Sequence, residues 1–262
     1  KTNFSINGNE VAWGTIGNAS TSEGLFWETI NAAGVLQVPM VVSVWDDEYG
    51  ISVHARHQTT KENISEILKG FQRTEDEKGY EIIKVTGWNY PELIEAYQKA
   101  GTIAREEHVP VLIHVKELTQ PQGHSTSGSH ERYKSKERLE WEAEFDCNVQ
   151  MRQWMLENNM ATVEELSELE KDIKKQVRDG KKAAWTAFLA PQKQEQQEAV
   201  TLLKNLAKAS SNKTFIEKIA SDLAADTEPL RRSIVAAGRK ALRYVVSEES
   251  SEKRQVQDWI NN

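Results

Sequence analysis

The sequence predicts an α/β protein: a parallel sheet with helices on both faces, followed by an all-helical C-terminal region. Two observations carry this. Short apolar runs alternate with helical patterns as far as Lys116, and strands alternating with helices of that size build parallel sheets. Beyond Val115 no strand-like run occurs, and apolar residues recur at helical spacing.

The elements follow in order. Residues 11–16 read as a short strand and residues 17–21 as a polar Gly/Asn/Ser loop. Ser20 and Glu23 have capping-box spacing, so a helix is expected to start there. Phe26, Ile30, Ala33 and Leu36 fall on one face of it. Residues 41–45 make a buried strand that Asp46-Asp47-Glu48-Tyr49-Gly50 ends abruptly. Residues 61–71 read as a short amphipathic helix and residues 80–86 as a strand. Asn89 is placed to cap a helix with Pro91 in its first turn. Residues 109–115 form another buried strand, and residues 119–129 an exposed polar loop with His124 in it and His130 beside it. Then Met151, Met155 and Leu156 form one stripe, Thr162 and Glu165 make a second capping box, and Ala190-Pro191 is a predicted break. The domains are expected at 1–130, 131–190 and 191–262.

Composition narrows the classes. The chain has 262 residues and a formal net charge of −7, a poor basis for non-specific nucleic-acid binding. Its longest apolar-rich run, residues 38–45, is far below the ~20 residues that cross a bilayer. The single cysteine, Cys147, excludes an internal disulfide and a multi-cysteine zinc site, and it fits a reducing, cytoplasmic setting.

Two loops are placed to carry chemistry. In a parallel sheet, residues 17–22 and 46–49 both lie at the carboxyl ends of strands, where ligands bind. The first offers free backbone N–H groups at the start of a helix, which suits a phosphate. The second offers Asp46 and Asp47, oxygen donors that suit a hard cation. The same residues also read as turn and cap residues beside a solvated acidic turn.

The stretch Gly17-Asn18-Ala19-Ser20-Thr21-Ser22-Glu23-Gly24, with Glu28, Asn31-Ala32-Ala33, Pro39 and Tyr49-Gly50-Ile51-Ser52, resembles the thiamine diphosphate motif, which begins Gly-Asp/Glu-Gly and ends in Asn-Asn. More narrowly it resembles the α subunit of thiamine-dependent 2-oxoacid dehydrogenases, most closely the branched-chain, 2-oxoisovalerate type. Val85-Thr86-Gly87, residues 109–113 and the Gly123-His124-Ser125-Thr126-Ser127 loop extend the likeness, which covers residues 11 to about 189. The resemblance implies Mg²⁺ ligands at Asn18, Asp47 and the Tyr49 carbonyl. It implies diphosphate contacts from Gly17, Ala19 and Ser20, and places Trp45 at the strand end just before the metal pair. His124 matches the active-site histidine, and Ser125 a position phosphorylated in animal relatives.

There are departures. The usual acid-then-amide ligand order becomes Asn18 then Asp47, with the summed charge unchanged. Ala19 replaces a glycine, which requires a negative φ there. Gln120 stands where relatives often carry arginine. The chain lacks the family's N-terminal segment and any β-like sequence, so it is expected to be the central piece of a fused α/β enzyme, with residues 191–262 as a connector. The implied partners are a lipoyl-bearing acyltransferase and a β-like domain, fused or separate, in a homo-oligomer. Two other readings stand beside this one: another Mg²⁺-dependent phosphoryl-binding enzyme, and a non-catalytic assembly module. Of the remaining residues, His114 reads as a satisfied core residue, His54 and His57 as loop histidines, and Trp141, Trp154 and Trp185 as core.

Overall fold

The computed structural model describes residues 8–124 and 128–261. Four strands form one all-parallel sheet: β1 (Ala12–Gly17), β2 (Met40–Trp45), β5 (Glu81–Thr86) and β6 (Val111–Lys116), in the order β1-β2-β6-β5. A two-stranded antiparallel ribbon, β3 (Tyr49–Gly50) and β4 (Val53–His54), follows β2 directly. Helices α1 (Gly24–Leu36), α2 (Ile64–Ile67) and α3 (Tyr90–Thr102) connect the strands.

The two-residue period of the strands builds two cores. Val42, Val44 and Leu112 meet Phe26, Ile30 and Ala33 of α1 and Ile64 of α2. Val41, Val85, Val111, Ile113 and Val115 meet Ala96 and Ala100 of α3. The sheet is thus covered on both sides, the usual condition of a parallel sheet. The α/β expectation holds.

Several local expectations are corrected. Ser20 does not cap α1: residues Asn18–Ser22 form a 3₁₀ turn, and Glu23 is the N-cap without a side-chain bond. Leu36 is 71% exposed, because α1 ends there and Gln37 turns left-handed at φ 52°. Residues 60–71 form short 3₁₀ and α turns, with Lys61 at φ 60° inside, instead of one helix. Asn89 does cap α3, accepting from the Glu92 N–H, with Pro91 in the first turn.

After β6, no further strand occurs among the described residues. Helices α4 (Lys136–Glu144), α5 (Cys147–Glu157), α6 (Val163–Lys208), α7 (Lys213–Ala224), α8 (Arg231–Tyr244) and α9 (Ser251–Asn261) follow. The capping box before α6 forms in both directions. Thr162 accepts from the Glu165 N–H at 3.2 Å, and Glu165 accepts from the Thr162 N–H at 2.8 Å. Helix α6 runs through Pro191 without the predicted break. Leu189 is buried on one side of the proline, and on the other Gln196 donates to the Leu223 and Asp226 carbonyls. Anchoring on both sides outweighs the lost backbone bond.

The chain divides into two compact units, Lys1–Leu166 and Ser167–Asn262. The second has its own core, in which Leu203, Leu206, Ile216, Ile234 and Val256 are each at most 1% exposed. Trp185 lies outside that core: it is 48% exposed, stacks on Phe188 and donates to Glu228. Among the described residues, no helix is long and apolar enough to cross a membrane.

Candidate active site

Gly17 pairs with Trp45 in the sheet register, and Trp45 with Val115. The loops after β1, β2 and β6 therefore leave the sheet side by side at its carboxyl edge. They enclose an open cavity of about 850 Å³. All eight residues nominated from the sequence line it: Gly17, Asn18, Ala19 and Ser20 from the first loop, Trp45, Asp47 and Tyr49 from the second, and His124 from the third. Ser125, Thr126 and Ser127 lie outside the described residues.

The first wall is built for close approach. Gly17 is extended (φ −76°, ψ 157°), and a Cβ there would meet nothing within 4 Å, so it would project into free space. Ala19 keeps a negative φ, the condition under which its methyl group is tolerated. Gly50 of the ribbon is required, because a Cβ on it would lie 2.7 Å from that of Ala19. Asn18 is 6% exposed and its Nδ2 has no hydrogen-bond partner. A buried amide left unpaired is costly, and in a cavity wall it is a group waiting for a ligand.

The two neighbouring aspartates differ in the structure. Asp46 is buried and fully engaged: Oδ1 accepts from the Glu48 N–H at 2.8 Å, and Oδ2 from His114 Nε2 at 2.8 Å. His114 in turn meets Ser65 Oγ through Nδ1 at 2.8 Å, so it is the satisfied core residue its apolar strand suggested. Asp47 holds one weak bond, from the Tyr49 N–H at 3.2 Å. Burial pushes its carboxyl above the usual range; the Tyr49 bond and the Lys134 charge pull the other way and do not cancel it. A carboxylate in that position gains most from a cation.

Among the described residues, no group of three or more His, Cys, Asp or Glu side chains is placed to hold a metal. A cation here would rely on one carboxylate, one amide, one carbonyl and oxygens of its own ligand, a donor set that suits Mg²⁺. No Lys or Arg lines the cavity, and Glu23 and Asp47 do. A phosphate ligand would therefore arrive with a cation.

Other histidines stand apart. His54 and His57 accept from the backbone and side chain of Arg56 and do not line the cavity. His130 packs against Gly123 with its Nδ1 buried and unpaired. Sequence reasoning missed Lys134, Arg138 and Glu142. Arg138 donates from Nη2 to the Asp47 carbonyl at 2.9 Å, and Lys134 from Nζ to the Gln120 carbonyl at 3.2 Å. The i, i+4 spacing of Arg138 and Glu142 on α4 hints at a pair. Nothing local signals that it reaches another loop.

An α/β protein with a parallel sheet, and an open polar cavity with an orphaned amide and a desolvated carboxylate at the sheet's carboxyl edge, is the class that the fold and the site define. Comparison with known proteins makes the assignment specific. The chain belongs to the family described as Dehydrogenase E1 component, which matches residues 5–192. It is 27% identical over 176 residues to the pyruvate dehydrogenase E1 component subunit alpha of Rickettsia bellii, covering 65% of this chain and 50% of that one. It is 29% identical over 171 residues to the mitochondrial 2-oxoisovalerate dehydrogenase subunit alpha 1 of Arabidopsis thaliana, covering 64% and 34%. A third match, 27% over 239 residues and covering 87% and 61%, is an Arabidopsis thaliana protein provisionally named a 2-dehydropantoate 2-reductase. The chain spans about half the length of the pyruvate-type relatives it matches.

Proposed function

We propose that this chain supplies the α-like side of a thiamine diphosphate and Mg²⁺ site in a 2-oxoacid dehydrogenase, working in the cytoplasm. The enzyme decarboxylates a 2-oxoacid and passes the acyl group to a lipoyl-bearing acyltransferase. The observation that supports this most is the convergence of eight nominated positions on one cavity, with Asn18 unpaired and Asp47 desolvated there.

Those residues fit the group. Asn18, Asp47 and the Tyr49 carbonyl would hold Mg²⁺, and turning the Asn18 amide presents oxygen in place of nitrogen. Backbone groups of Gly17, Ala19 and Ser20 would meet the diphosphate, and Trp45 would form a flat wall beside it. When bound, thiamine diphosphate supplies the electron sink for loss of carbon dioxide. His124, exposed on the cavity rim, would hold or deliver a proton as the acyl group leaves for the lipoyl sulfur.

A β-like domain, fused or separate, would complete the site, with residues 191–262 as the connector toward it and the intact enzyme a homo-oligomer. The preferred substrate on this reading is the branched 3-methyl-2-oxobutanoate. The test is reduction of an artificial electron acceptor by the intact parent polypeptide, with and without thiamine diphosphate and Mg²⁺, comparing that acid with pyruvate. Cofactor-dependent turnover is expected. A folded parent that binds Mg²⁺ with any diphosphate alike would be another phosphoryl-binding enzyme. One that binds neither would be an assembly module.

A further inference from the structure

Resting on the reading above, we propose that Glu142, Lys134 and Arg138 form one buried positioning unit that sets the cation loop and the histidine loop together. None of the three lines the cavity. The side chain of Glu142 is 0% exposed and that of Lys134 1%.

Every donor of Lys134 is allotted. An ammonium has three donors. Lys134 meets both Glu142 oxygens, at 2.7 and 2.8 Å, and the Gln120 carbonyl. Gln120 lies on the cavity wall, four residues before His124. Arg138 donates from Nε to Glu142 at 2.8 Å, from Nη2 to the Asp47 carbonyl, and from Nη1 to the Glu48 side chain. The Tyr49 ring faces both cations, 5.1 Å from Lys134 Nζ and 5.6 Å from Arg138 Cζ. Glu142 is the acceptor that the two cations share.

Stability alone does not explain such a unit, because apolar residues of the same volume often fill a buried ion cluster's place without loss. What the cluster adds is geometry. Glu48 holds a φ of 66°, a left-handed conformation that a residue with a Cβ adopts at a cost. Arg138 grips that residue twice, by the carbonyl before it and by its side chain. The turn that presents the Asp47 side chain and the Tyr49 carbonyl is thereby held in shape from α4. Through Glu142, the same cluster holds the start of the segment leading to His124. The three are positioning residues, and the order of one loop depends on the other.

The test is hydrogen exchange on the unliganded 262-residue chain, followed by mass spectrometry. Arg138→Met is expected to speed exchange in residues 46–50 and 119–124 together, by about tenfold, with β2 and β6 unchanged. Arg138→Lys, which keeps the charge, should recover part of the protection in both. Loosening of 46–50 alone overturns the proposal, since the cluster reaches Gln120 through Glu142 and Lys134; Leu118, whose N–H donates directly to the Asp46 carbonyl, is left out of the comparison. Equal loosening of β2 and β6 also overturns it, as ordinary destabilisation. If Arg138→Met does not fold, Glu142→Gln, which keeps the shape, is measured against the same criteria. Calorimetric titration of Mg²⁺ with thiamine diphosphate into the intact polypeptide separates the two claims. No binding there defeats the proposed function and leaves the coupling standing. Uncoupled loops defeat the coupling and leave the function standing.

Discussion

Asn18 shows how a single residue separates folding from binding. Its buried Nδ2 has no partner, so the fold gains nothing from that hydrogen-bonding group and bears its desolvation. Asn18→Leu is therefore expected to leave thermal stability unchanged or to raise it, by up to roughly 1 kcal/mol. On the proposed function, Mg²⁺ with thiamine diphosphate is expected to raise the melting temperature of the intact polypeptide, a linkage effect of about 2.7 kcal/mol at a hundredfold excess over Kd, and the same variant should lose that rise. A melt that falls by several degrees without ligand would show that the amide is structural. Gly17→Val makes the complementary case. Valine suits the extended backbone at Gly17, and its side chain would enter open space. Stability should stay within about 0.5 kcal/mol, while calorimetry should show diphosphate binding weakened at least tenfold. The resemblance to a known motif nominated these residues, and the structure gathers them on one cavity. Loop position alone did not distinguish Asp46 from Asp47, although the resemblance named Asp47. That difference is made by His114, which is 68 residues from Asp46 along the chain.

Elements were legible where their cause is local. The Asn89 cap of α3 and the Thr162–Glu165 box of α6 involve atoms three residues apart, and both form. Ser20 and Glu23 have the same spacing, yet a 3₁₀ turn intervenes, since residues 18–22 must also close against Gly50. Pro191 carries the usual signal for a helix end, but packing on both sides of it prevails. Proline in a helix interior lacks an N–H and crowds the preceding turn. Pro191→Ala is therefore expected to stabilise the chain by roughly 1–3 kcal/mol in a denaturant melt. No gain would mean that α6 has already adjusted around the ring.

Strand β5 is tied to its surroundings by charge. Glu81 accepts from Arg73 at 3.0 Å and from Lys99, on α3, at 3.1 Å. Burial pushes its carboxyl up, but the two cations outweigh that and hold it below the usual range. A depressed carboxylate contributes its stability above the unfolded pKa and loses it as the pH falls through the folded one. Glu81→Gln should cost about 0.5–1.5 kcal/mol at pH 7. The gap to wild type should close between about pH 5 and 3. A gap that persists in acid would assign the loss to packing instead of charge.

At the scale of the whole chain, the alternating pattern of the first half and the helical second half were both readable, because each rests on hydrophobic period alone. The boundary between the two compact units rests instead on which helical residues find a core. Residues 167–188 show the point: they are helical, and every one of them is exposed. They include Lys171, Lys174, Lys175, Arg178, Lys181 and Lys182. Farther along α6, Ala199, Leu203 and Leu206 join α7, α8 and α9 in a core of their own. A helix exposed all round gains little from packing and opens locally at low cost, whereas a helix seated in a core opens only with its unit. Limited trypsin digestion is therefore expected to cut first between residues 171 and 182. It should release a C-terminal fragment that keeps its far-ultraviolet helical signal and melts in one cooperative step. First cuts within α8, despite its own Arg239, Lys240 and Arg243, or a fragment without a cooperative melt, would show that the second unit does not hold together by its own core.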